Sequence, residues 1–221
     1  MMKGFKNRIG IMGGTFNPIH YGHLRVSEEV RQGIGFEKIL FIPSGNPPLK
    51  AGHLAPAPQR LEMTRLAIEA NPWFEISDIE CNRTEKSYTV ETLLALKELY
   101  PDKEFYFIVG IDSFIELPLW RHPERLMELT HFVVVSRPGT SFSGLASLIT
   151  GDRGVLRALD ARQLNIQKAT LRNGREVLLM NVTHMDISAT GIRNLTHHGM
   201  SIKYLLPEKV ESFIISQGLY R

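Results

Sequence analysis

A short apolar run, Ile9-Gly10-Ile11-Met12, enters a glycine pair, Gly13-Gly14, and the chain then reaches two histidines three positions apart, His20 and His23. A buried strand that ends in a tight turn and leads into a helix needs sheet neighbours on both sides and a helix packed back over it, the unit from which parallel α/β proteins are built. Gly13 and Gly14 carry no Cβ, so the chain can turn sharply and an anion can approach the backbone closely. Pro18 disfavours helical geometry at Asn17 and delays the helix. A helix starting near His20 or Tyr21 places both imidazoles on one side, with Gly22 leaving room for a ligand between them. The N–H groups at that helix start favour an anion. Imidazole N–H donors aimed at a phosphate stabilise charge that builds up during phosphoryl or nucleotidyl transfer.

Three plainer readings compete. H-x-x-H could ligate zinc, but it lacks the i+4 spacing and the glutamate of H-E-x-x-H, and no third ligand follows. The histidines could be ordinary surface residues, and the glycines only a turn. The combination outweighs its parts. Residues 13–24, G-G-T-F-N-P-I-H-Y-G-H-L, resemble the first signature of the H-x-G-H nucleotidyltransferases. More than 160 residues later, Ile187-Ser188-Ala189-Thr190-Gly191-Ile192-Arg193 resembles the second, a Ser/Thr-rich helix start ending in arginine.

Between the two signatures, apolar runs alternate with amphipathic stretches. Strands are expected at 9–12, 38–43, 73–78, 104–109, 131–135 and 176–180. Helices are expected at 24–32 (ended by Gly33 and Gly35), 59–69, 88–99, 126–129 and 208–216, with a loop and short helix over 186–198. The pattern weakens near 140–175, where residues 155–170 suit a helix. The expected fold is a doubly wound parallel α/β sheet, with residues 1–221 as a single domain carrying a variable segment near 140–175. Ligands of such sheets bind beyond the C-terminal strand ends, where the motifs lie. Trp73 reads as a core residue.

Further segments are similar to the bacterial nicotinate-nucleotide adenylyltransferases: Pro47-Pro48-Leu49-Lys50, Ser87-Tyr88-Thr89-Val90-Glu91-Thr92-Leu93, Gly110-Ile111-Asp112-Ser113, Leu119-Trp120, Ser136-Arg137-Pro138-Gly139 and Gln217-Gly218-Leu219-Tyr220-Arg221. The resemblance implies a Rossmann-like nucleotidyltransferase fold and condensation of ATP with nicotinate mononucleotide to deamido-NAD and pyrophosphate. Mg2+ would be carried on the ATP. It also implies roles. His20, His23 and Arg193 would be catalytic; Ser188 and Thr190 would hold the β- and γ-phosphates with Arg193; and backbone at Gly13, Gly14, Thr15 and Phe16 would line the shared pocket. Gly110 and Asp112 would meet the adenosine ribose, Trp120 the pyridine ring, and backbone near Thr89 and Arg121 the nicotinate carboxylate. Lys50 and Arg137 are further phosphate partners, and Leu49 stands where the family loop often carries histidine. No resident protein metal site is expected. Another H-x-G-H adenylyltransferase, such as the phosphopantetheine enzyme, and a nucleotide-sensing module without turnover are the competing functions.

Composition bounds the rest. The net charge of +3 suits an anionic substrate but is too weak to indicate nucleic acid. One cysteine, Cys81, excludes an internal disulfide and is consistent with a reducing cytoplasm. No apolar stretch reaches membrane-spanning length and the first residues lack a signal-peptide core, so no membrane partner is expected. Homo-oligomerisation stays open.

Overall fold

Residues 5–48 and 54–221 are described by a computed structural model; Leu49 and Lys50 lie outside them. The first strand, β1 (Phe5–Gly14), runs on into the glycine pair, and α1 (Tyr21–Ile34) follows with His20 as its N-cap. Gly33 does not end α1: it stays within the helix, where Met180 packs 2.8 Å from the place a Cβ would take, and Gly35 ends the helix in the left-handed region at φ 83°. Then come β2 (Phe36–Pro43), α2 (Ala57–Ile68), β3 (Phe74–Ile76), α3 (Thr89–Leu99), β4 (Glu104–Gly110), α4 (Ile111–Ile115), α5 (Pro123–Leu129) and β5 (His131–Val135). The chain continues through β6 (Ile149–Thr150), α6 (Arg153–Asp160), β7 (Ile166–Leu171), β8 (Glu176–Met180), α7 (Ala189–His197) and α8 (Glu208–Ser216).

All eight strands share one sheet, in the order β3-β2-β1-β4-β5-β8-β7-β6. From β3 across to β8 every neighbouring pair is parallel. The strands alternate in and out with period two, so each buries one set of side chains on each face. Ile9, Ile11, Phe105, Phe107, Phe132 and Val134 pack under α3 to α6. Phe41, Tyr106, Ile108, Val133 and Val135 pack under α1, α2, α7 and α8. The chain lays β2 and β3 on one side of β1, then returns to place β4 on the other. That reversal opens a crevice at the C-terminal ends of β1 and β4, where Gly13-Gly14 and Gly110 lie.

Two further expectations fail. The helix suggested for 155–170 stops at Asp160; from Ile166 the chain is a strand antiparallel to β8, because the Asn173-Gly174 turn (Gly174 φ 86°) closes a hairpin. Together with β6 this makes the far edge of the sheet antiparallel. Trp73 is not core: it is 49% exposed beside the short edge strand β3, with the Arg31 guanidinium 5.0 Å from its ring centre. Among the described residues no helix is long and apolar enough to cross a membrane.

Candidate active site

The crevice is a cleft of about 1100 Å³, lined by the β1–α1 turn, the starts of α3 and α7, and the residues after β4 and β5. His20 is 7% exposed and His23 half-buried; their ring centres are 3.8 Å apart. The backbone N–H of His20 donates to His23 Nδ1 at 3.3 Å. An accepting Nδ1 places the ring proton of neutral His23 on Nε2. His20 Nδ1 is buried and meets no hydrogen-bond partner. Burial, helped by the positive charge of Arg137, brings the His20 pKa down to about 4, so the ring is neutral at pH 7. Gly22 serves this pair in a way its spacing alone did not reveal: a Cβ there would stand 3.0 Å from His20 Cε1 and Nδ1. The glycine makes room for the imidazole itself.

The second motif arrives at the same cleft. Ser188 caps α7, its Oγ accepting from the Gly191 N–H at 3.0 Å. Arg193, one turn on, donates from Nη1 to the Asn17 carbonyl (2.8 Å) and from Nη2 to Thr190 Oγ1 (3.2 Å), joining positions 176 apart in sequence. Arg193, Thr190 and Ser188 thus line one cleft with His20 and His23.

Gly13, Gly14, Thr15 and Phe16 line the floor. Across the cleft, Thr89 lines the wall as the first residue of the 11-residue helix α3, which has no side-chain cap. The Arg121 guanidinium lies 4.4 Å from the Tyr88 ring centre and 3.9 Å from the Glu91 carboxylate. Trp120 is half-buried and meets Phe107 edge-on, ring centres 6.1 Å apart, while still lining the cleft. Gly110 also lines it; Asp112 stands just outside, its carboxylate 3.4 Å from Arg137 Nε. The pair crosses directly over Gly110, where a Cβ would come within 2.3 Å of Arg137 Nε and 2.4 Å of Asp112 Oδ1. Of the residues singled out from sequence, Leu49 and Lys50 lie outside the described residues.

Sequence reasoning missed the supports beneath this surface. Arg60 is 1% exposed and donates to three backbone carbonyls, Thr15 (2.7 Å), Ala55 (2.9 Å) and Gly45 (2.9 Å), pinning the β1–α1 loop to the β2–α2 loop. Glu80, 7% exposed, accepts from the Thr92 hydroxyl at 2.7 Å, and burial pushes its pKa up. Ser136 Oγ accepts from the Val182 N–H (3.0 Å) and lies 3.1 Å from His184 Nε2. Arg60 carried a faint signal, as an arginine amid the apolar positions of an amphipathic helix. Among the described residues no three His, Cys, Asp or Glu side chains converge as a metal site.

Residues 11–195 match the Cytidylyltransferase-like family model. A protein of Syntrophotalea carbinolica named "probable nicotinate-nucleotide adenylyltransferase" is 44% identical over 97% of this chain and 97% of its own. A protein of Geotalea daltonii with the same name is 44% identical over 96% of this chain and 98% of its own. Among solved structures, the nicotinic acid mononucleotide adenylyltransferase of Plasmodium falciparum complexed with NaAD superimposes with a TM-score of 0.73. That match covers 97% of this chain and 98% of the other at 21% identity, so it speaks for the fold. The chain belongs to the nicotinate-nucleotide adenylyltransferase family, enzymes of the Cytidylyltransferase-like nucleotidyltransferase group.

Proposed function

We propose that this cleft performs adenylyl transfer from ATP to nicotinate mononucleotide, with the starts of α1 and α7 holding the triphosphate and the start of α3 holding the pyridine end. A phosphate oxygen of the mononucleotide forms a bond to the α-phosphorus of ATP. The bond from that phosphorus to the α–β bridging oxygen breaks, and its electron pair leaves with pyrophosphate. The products are deamido-NAD and pyrophosphate, a step in making NAD. No protein nucleophile is needed; the chain's work is positioning and stabilisation of charge.

The observation that carries this reading is the 2.8 Å bond from Arg193 to the Asn17 carbonyl, three residues before His20. It sets a permanent cation and two helix starts around one anion-sized space. His20 and His23 act as neutral N–H donors to the α-phosphate as its charge is redistributed, and Arg193, Ser188 and Thr190 hold the β- and γ-phosphates. Mg2+ enters as part of the ATP substrate, with phosphate and water as its ligands. Trp120 stacks on the pyridine ring, and the N–H groups at the start of α3 face the nicotinate carboxylate. Gly110 lets the ribose approach β4, while Asp112 accepts from its hydroxyls and Arg137 adds a phosphate contact.

Pyrophosphate release tests the assignment. With ATP, nicotinate mononucleotide should support release, whereas phosphopantetheine or no acceptor should not. Release with phosphopantetheine alone would replace this reading with that enzyme's chemistry, equal release in all three with hydrolysis of ATP by water, and ATP binding without release with a nucleotide sensor.

A further inference from the structure

Asn17 is 5% exposed and sits at a junction. Its backbone carbonyl accepts from Arg193 at 2.8 Å, and its Oδ1 accepts from the Ala55 N–H at 3.1 Å. The same Oδ1 accepts from the Tyr220 hydroxyl at 2.8 Å, across 203 positions of sequence. Beyond α8 the chain turns back on itself: the N–H of Gly218 (φ 60°) reaches the Ile215 carbonyl and that of Leu219 the Ile214 carbonyl. Tyr220 itself then takes φ 66°, a region L-residues disfavour and hold only where their surroundings dictate it. Its ring packs against the core under α1, α2, α7 and α8. Burial raises the proton affinity of the phenol against the opposing charges of Arg193 and Arg60, so the hydroxyl stays protonated and is a fixed donor.

We propose that Tyr220 is a positioning residue for the triphosphate site, acting through Asn17 to set the Arg193 guanidinium and the β1–α1 loop. Two donors on one oxygen orient the Asn17 amide, and the amide orients the carbonyl on which Arg193 rests. Thr190 takes the other arm of the guanidinium, so the cation is aimed from both sides. The Gln217–Arg221 segment has no place in the chemistry itself; this contact gives it one. The inference rests on the adenylyl-transfer reading for its kinetic readout, and a direct binding measurement keeps it testable without that reading.

Tyr220→Phe removes the hydroxyl and keeps the ring. In the full-length protein it should raise KM for ATP, and the Kd of a non-hydrolysable ATP analogue by calorimetry, about 3- to 10-fold. KM for nicotinate mononucleotide should stay unchanged. Asn17→Asp keeps an acceptor at Oδ1, so Tyr220→Phe should cost as much in that background; Asn17→Ala removes the acceptor, and there it should add nothing. An unchanged analogue Kd in Tyr220→Phe overturns the proposal, as does an equal rise in both KM values or a lower melting temperature with normal ATP parameters. Wild-type protein that binds the analogue but transfers nothing to nicotinate mononucleotide overturns the functional reading instead, leaving the analogue Kd to decide the role of Tyr220.

Discussion

The two helix starts that face the cleft are built in opposite ways. At α1 the more deeply placed group is titratable, sunk into the protein and neutral: His20 is 7% exposed with its pKa near 4. At α7 they are solvent-facing or permanently charged: Ser188 and Thr190 are exposed, and Arg193 cannot lose its proton. In the proposed reaction the β- and γ-phosphates are anionic before and after transfer, so a lasting cation suits them. The α-phosphorus changes its bonding, and there a neutral donor in a dry setting gains strength as charge shifts onto the phosphate oxygens. Permanent charge at both ends would hold substrate and transition state alike, which lowers KM without speeding the chemical step.

The largest break in this contrast should come from His23→Ala. Losing one preorganised donor beside the reacting phosphate should lower kcat by about 10²- to 10³-fold. Because the side chain is half-buried at a helix start, far-UV circular dichroism should stay native. Turnover within about twofold of wild type would mean that the α1 start is structural only.

Next in size is the pH dependence that a buried neutral His20 imposes on the ATP-free protein. Its folded pKa of about 4 lies below the usual 6.5, so the unfolded chain binds more protons between those values. The stability from keeping His20 neutral is therefore complete above pH 6.5 and is lost as pH falls toward 4, by about 2 kcal/mol at pH 5. Burial lowers the pKa of His131 and His184 too, so all three histidines act with the same sign. Urea unfolding at pH 7 and pH 5, compared between wild type and His20→Gln, isolates the His20 share. Identical pH slopes would place a charged, solvated imidazole at position 20 and erase the contrast.

At α7 the effect should be smaller and confined to binding. Arg193→Lys keeps the charge but loses the fork that spans the Asn17 carbonyl and Thr190 Oγ1. A point charge on a flexible stem should weaken binding of a non-hydrolysable ATP analogue by about tenfold. If kcat fell while the analogue Kd held, Arg193 would belong with the histidines as a transition-state group.

Much of this was visible in the amino-acid order, for physical reasons that also explain the gaps. Strands such as 104–110 and 131–135 are buried on both faces and read as unbroken apolar runs. Glycine turns and Ser/Thr helix starts mark where backbone N–H groups face a ligand. The 140–175 region hid its strands because β6 has two residues and β7 lies near an edge, so neither shows a two-faced apolar pattern; the Asn173-Gly174 turn was its one strong signal. Trp73 misled because residue type says nothing about the edge of a sheet. The roles of Arg60 and Tyr220 escaped notice because their partners are backbone carbonyls and an amide, 5 to 203 positions away, contacts that leave no recognisable spacing. Asp112 was singled out by its place after β4, but its pairing with Arg137 depends on how β4 and β5 lie side by side.

The smallest effect tests whether the contrast is confined to the triphosphate. Trp120 lines the cleft with its indole at 88° to the Phe107 ring, and on the proposed reading one indole face is offered to the mononucleotide. If that face stacks on the pyridine ring, Trp120→Ala removes an aromatic pair worth about 1 kcal/mol beyond its buried area, and KM for nicotinate mononucleotide should rise about tenfold. KM for ATP should hold within about twofold, and Trp120→Phe should recover most of the loss because a smaller ring still offers a face. The substitution also costs packing against Phe107, so the melting temperature should fall somewhat in Ala and less in Phe. Steady-state kinetics with each substrate varied in turn separates the two consequences. A rise in KM for ATP equal to that for the mononucleotide would show that Trp120 supports the whole cleft, and the division between a triphosphate side and a pyridine side would have to be redrawn.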